Sequence, residues 1–125
     1  MLDKTLKILF VEDSEVQQEL GIYRLQDIGF NNVAKASNGL DAIAYLESNP
    51  VDLIISDWEM PEMDGMDLLR VVRSTPDIQE TPFIIMTVNN NPNRVSIAES
   101  EGVAEFLCKP VGNEALLKTI EKIFA

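Results

Sequence analysis

Short apolar runs alternate along this chain with longer stretches in which apolar residues return at helical spacing. The runs are Ile8–Val11, Val33–Ala36, Leu53–Ile55, Phe83–Met86 and Ala104–Leu107. They are rich in Ile, Val, Leu and Phe, and three are nearly continuous instead of alternating with polar residues. Strands of a parallel sheet covered on both faces read this way. Helical segments are predicted at Ser14–Ile28, Leu40–Glu47, Asp64–Arg73, Arg94–Glu101 and Asn113–Phe124. Leu20, Tyr23, Leu25 and Ile28 fall near one face of the first, and Leu116, Leu117, Ile120 and Phe124 near one face of the last. Punctuation agrees: Gly29 and Gly102 follow helix ends, Ser37-Asn38-Gly39 turns into the second helix, and Asn113 is suited to cap the last. Strict βα alternation predicts an α/β fold, a parallel sheet with right-handed crossovers and helices on both faces. Groups that handle a ligand then belong at the carboxyl ends of the strands, near the reversal of strand order.

At 125 residues the chain is expected to form one domain, 1–125. Hydrophobic residues make up 46% and charged residues 25%, as in a soluble globular protein. No apolar run is long enough to span a bilayer, and the MLDKTLKILF start lacks a signal peptide's apolar region and cleavage site. Its one cysteine cannot close an internal disulfide, and the expected address is cytoplasmic. A formal net charge of −11 argues against nucleic acid as a ligand and suits a divalent cation or a basic partner. The chain has no histidine, so it has no histidine chemistry of its own, and any phosphohistidine must come from another protein.

The predicted strand ends hold the candidate chemistry. Glu12-Asp13 follow the first run, Asp57 the third, Thr87 the fourth and Lys109-Pro110 the fifth. In the flavodoxin-like order 2-1-3-4-5, these strand ends converge on one crevice. Crowded carboxylates raise one another's pKa, and a hard divalent cation such as Mg²⁺ relieves that crowding. Lys109 adds a positive charge and Thr87 a hydroxyl. A carboxylate in such company is suited to accept a phosphoryl group, with cation and ammonium offsetting charge in the transition state. Each feature alone has a plainer explanation: an acid pair as helix cap, a strand-end threonine, a Lys-Pro turn. Four coincidences at four strand ends are needed to keep them all plain.

Together, the ED pair, the D-x-x-M-P-x-M-D-G block beginning at Asp57, the strand-end Thr87 and the Lys109-Pro110 pair resemble the response-regulator receiver domains of two-component systems over essentially the whole chain. The nearest resemblance is to single-domain chemotaxis regulators. It implies a phosphorylation switch fed by a sensor histidine kinase, with Asp57 as phosphoacceptor. It implies Mg²⁺ held by Asp13 and Asp57, by Glu12 through water, and by the main-chain carbonyl of Glu59. Lys109 would contact the phosphoryl oxygens. Thr87 would move toward them while Phe106 turns inward, reshaping a docking face made of the fourth helix, fifth strand and fifth helix. Such a domain assists its own modification and is not counted an enzyme.

The chain departs from the chemotaxis pattern at several places. Glu12 replaces the commoner Asp, and Phe106 replaces a tyrosine. Val88-Asn89-Asn90-Asn91-Pro92 replaces a stretch with a small residue, Glu and Lys. These changes put flagellar-motor binding in doubt. Val88 adds bulk beside the acceptor, so Val88, with Glu59 and Asn89, is a candidate for setting access and lifetime. Cys108 reads as a buried small hydrophobe, with a redox-sensitive thiol the alternative. The rivals are an Asp-nucleophile phosphatase, a pseudo-receiver, and a receiver taken from a longer transcriptional or hybrid-kinase regulator. Phosphatases of the haloacid-dehalogenase type carry a second Asp two residues after the nucleophile, where this chain has Glu59.

Overall fold

The structure, a computed structural model, describes residues 2–125. Its elements run β1 (Ile8–Val11), α1 (Glu15–Asp27), β2 (Val33–Ala36), α2 (Gly39–Ser48), β3 (Leu53–Asp57), α3 (Gly65–Ser74), β4 (Phe83–Thr87), α4 (Pro92–Ser100), β5 (Glu105–Cys108) and α5 (Asn113–Ile123). All strand pairs are parallel, in the order β2-β1-β3-β4-β5. Strand β3 runs two residues past the predicted Ile55 and β4 one past Met86, so Asp57 and Thr87 are the last residues of their strands.

Strand side chains alternate between the two faces, and this divides the interior into two apolar layers. Leu9, Val11, Ile54, Phe83 and Ile85 meet Ala42, Leu46, Leu68, Leu69, Val72 and Ala98 from α2, α3 and α4. Ile8, Phe10, Leu53, Ile55, Ile84 and Met86 meet Leu25 of α1 and Leu116 and Ile120 of α5. Truncating one of these fully buried Leu or Ile residues to Ala costs about 2–5 kcal/mol.

Local signals set most boundaries. Ser14, Asn38, Asp64 and Asn91 cap α1 to α4 through their side chains, and Asp64 with Asp67 completes a reciprocal capping box. Gly29 and Gly102 take φ of 105° and 92° just past helix ends, where a side chain would be strained.

Three expectations are corrected. Helix α1 does not turn Leu20 and Tyr23 inward: they are 45% and 63% exposed, and with Val16 they form an outward apolar stripe. The inward face is Gln18, Gly21 and Leu25. Gly21 lies under the Phe10 ring, where a Cβ would come within 2.1 Å of Cζ. Buried Gln18 donates from Nε2 to the carbonyls of Glu12 and Ala36, both at 3.1 Å. Asn113 does not cap α5; Gly112 takes that place without a side-chain bond, and the Asn113 amide donates to Asp27 instead. Cys108 is exposed, because it ends the edge strand β5. Among the described residues, no helix is long and apolar enough to cross a membrane.

Candidate functional site

The sheet brings the predicted strand-end residues to one end. Asp57 closes β3 between β1 and β4, Glu12 and Asp13 follow β1, Thr87 closes β4, and Lys109 follows β5. Carboxylate oxygens of Glu12, Asp13 and Asp57 lie within 4.8 Å of one another. Glu12 and Asp57 are buried, whereas Asp13 is exposed. Lys109 enters this cluster with Nζ 3.2 Å from Asp57 Oδ1 and 3.0 Å from Glu12 Oε1.

Electrostatics follow from that packing. Burial pushes the Asp57 carboxyl up to about 6, the Glu12 charge adds to the rise, and Lys109 opposes it. Burial works against the Lys109 charge, but hydrogen bonding and attraction to Glu12 and Asp57 outweigh it and hold the ammonium above the ordinary lysine range. Three carboxylates with one ammonium leave an excess of negative charge. Oxygen donors of this kind at this spacing fit a hard divalent cation such as Mg²⁺, which also accepts water and phosphate oxygens. The main-chain carbonyl of Glu59, two residues past Asp57, takes part in no hydrogen bond among the described residues.

The acceptor's backbone is held tightly. Ser56 Oγ donates to the Asp57 carbonyl at 2.9 Å, and Gly65 N donates to the Trp58 carbonyl at 2.8 Å. Helix α3 can start so close to β3 because Gly65 has no side chain; a Cβ there would lie 2.3 Å from the Asp57 carbonyl oxygen.

Thr87 is fully buried. Its hydroxyl donates to Glu59 Oε1 and accepts from Asn89 N at 3.1 Å. Arg94, in the first turn of α4, donates from Nη1 to that same Oε1 at 3.0 Å and lies 3.9 Å from the Trp58 ring centroid. Trp58 in turn meets Phe106 edge-on, with centroids 6.3 Å apart. Arg94, and the packing of Trp58 between it and Phe106, are the parts of this end of the molecule that reading the sequence missed. The one available signal was an arginine opening a helix whose first turn has no acid of its own.

A cavity of about 360 Å³ borders the site between α1 and the loop into α5. Val88, Glu12 and Lys109 line it together with Phe10, Met86 and Leu116, while the Val88 side chain stays largely exposed. Val88 is thus placed beside the lysine without covering it.

Comparison with known proteins agrees with this geometry. The family described as the response regulator receiver domain matches residues 8–121. The chain is 32% identical over 124 residues to chemotaxis protein CheY-3 of Vibrio cholerae, covering 99% of this chain and 95% of that one. Among solved structures, the chemotaxis response regulator CheY4 of Vibrio cholerae superposes with a TM-score of 0.86 at 32% identity, covering 95% of this chain and 98% of that one. The receiver domain of a sensor histidine kinase from Pseudomonas aeruginosa, with a magnesium ion coordinated in its active site cleft, superposes with a TM-score of 0.86 at 25% identity, covering 97% of this chain and 99% of that one.

Proposed function

This chain belongs to the response-regulator receiver family, and from that premise we propose that it is a signalling switch whose Asp57 accepts a phosphoryl group from a sensor histidine kinase. The observation that carries the reading is the buried strand-end Asp57 with Lys109 at 3.2 Å and two further carboxylates around it. In the forward step the donor's N–P bond breaks as an O–P bond forms to Asp57, and the nitrogen keeps the bonding pair. In the separate reset step water attacks phosphorus, the O–P bond breaks with its pair left on the carboxylate, and inorganic phosphate departs carrying the water's protons. Lys109 orients and offsets the charged oxygens in both steps. Asp13, Asp57, Glu12 and the Glu59 carbonyl would hold Mg²⁺, which supplies further charge compensation at the phosphoryl oxygens. A cytoplasmic address and a single receiver unit over 1–125 go with this function.

The phosphatase reading asks Glu59 to serve as acid and base. Its Oε1 is already engaged by Thr87 and Arg94, which supports the switch reading instead. The output face we propose is the surface of α4, β5 and α5, and the likeness to CheY-3 supports a chemotaxis pathway. Phe106 lacks a tyrosine's hydroxyl, so a partner other than the flagellar motor fits that face better. The likeness to a kinase's receiver domain favours a second reading, a receiver working within a longer regulator, which the gene sequence past Ala125 distinguishes.

Mass spectrometry tests the main proposal. Acetyl phosphate with Mg²⁺ is expected to add one phosphoryl group to the protein and none to Asp57→Asn. Equal labelling of the Asn variant overturns it.

A further inference from the structure

We infer that Glu59 is a latch on Thr87, one that a phosphoryl group on Asp57 must open before the switch can turn. The inference rests on Asp57 being the acceptor and names the residue that sets how readily the protein responds. A threonine hydroxyl has one hydrogen to donate. In Thr87 that hydrogen goes to Glu59 Oε1, while the lone pairs receive Asn89 N at 3.1 Å. Thr87 therefore cannot donate to a phosphoryl oxygen and to Glu59 together. Its bond to a charged carboxylate belongs to the stronger class of hydrogen bonds.

The same oxygen holds α4. That helix buries only Ala98 fully, so few apolar contacts anchor it. Its first turn is fixed by Arg94, which pairs with Glu59 Oε1 at 3.0 Å and stacks on Trp58. Trp58 then touches Phe106. One carboxylate oxygen thus ties the end of β4 to the start of α4 and, through the indole, to the aromatic of β5. With its side chain 48% exposed, Glu59 can rotate away without disturbing the core, so the latch can open and close.

A different role for Glu59 is simple repulsion of an incoming anion. A double-mutant cycle separates the two. Beryllofluoride with Mg²⁺, a phosphoryl mimic, is titrated into the whole chain and followed through Trp58 emission. Glu59→Ala is expected to bind it about tenfold more tightly, the effect of losing one such competing hydrogen bond. In a Thr87→Val background, which has no hydroxyl to latch, Glu59→Ala is expected to change nothing. An unchanged or weaker midpoint for the single Glu59→Ala variant overturns the latch. An undiminished gain in the valine background overturns it too and assigns Glu59 to repulsion alone. If the unmodified chain fails to bind beryllofluoride while the metal binds normally, the acceptor reading itself falls, a distinct result.

Discussion

The Lys109 ammonium lies 3.2 Å from the Asp57 carboxylate, and its other contact is Glu12 at 3.0 Å. Lysine therefore sits on carboxylates that a divalent cation would draw upon, and the two cations would compete for them. Asp13, exposed and outside both ion pairs, would contribute to the metal without that competition. Mg²⁺ titration followed through Trp58, the only tryptophan, is expected to separate the roles. Asp13→Ala should weaken binding by about tenfold or more through loss of a hard ligand. Lys109→Ala should tighten it several-fold while slowing phosphoryl transfer by roughly a hundredfold or more. Weaker metal binding in the lysine variant would show that Lys109 supports the site instead of competing with the cation.

The raised Asp57 carboxyl has a consequence for stability in the absence of metal. Its value rises from 3.8 to about 6 on folding, chiefly through burial. The native protein then holds this proton more tightly than the unfolded chain does, so Asp57 costs stability as pH rises from about 4 to about 6, and the cost is complete above that window. The full effect is at most about 3 kcal/mol. Urea unfolding in EDTA should show Asp57→Asn gaining stability relative to the unmodified protein across that range, and saturating Mg²⁺ should narrow the difference near neutral pH. A difference independent of pH would mean that Asp57 ionises as it does in the unfolded chain.

Val88 borders the lysine end of the site yet is 72% exposed. A valine side chain is stiff at χ1 and cannot easily swing aside. We expect slow loading from acetyl phosphate and slow loss to water, with Val88→Ala speeding both. Its exposure means that stability should change by less than about 0.5 kcal/mol. Stopped-flow loading and phosphoryl decay measure the two rates. If neither changes, Val88 is no gate, and lifetime control passes to Glu59 and Asn89.

Strand positions and sheet class could be read from the sequence because they follow from local periodicity and strict βα alternation. The convergence of Glu12, Asp13, Asp57, Thr87 and Lys109 also needed the flavodoxin-like strand order, which periodicity does not supply. Details that depend on side chains meeting across the chain were not legible. Helix α1 seemed to face inward through Leu20 and Tyr23, but the Phe10 ring over Gly21 turns the helix so that Gln18 and Leu25 point in. Cys108 looked like a core residue because it follows apolar neighbours, yet the last residue of an edge strand has little to cover it. The Thr87, Glu59 and Arg94 contacts join residues as many as 35 positions apart, and nothing in local spacing announces them.

The division of the interior into two layers places the cavity beside Lys109 and the Trp58 and Phe106 pair on opposite sides of the sheet. Glu12 and Lys109 line the cavity on the side of α1 and α5, with Phe10, Met86 and Leu116. Trp58 and Phe106 pack into the layer under α2, α3 and α4, the side to which strand alternation also assigns Thr87. Substitutions beneath α1 are therefore expected to act on the lysine end of the site, and those beneath α4 on the Trp58 and Phe106 pair.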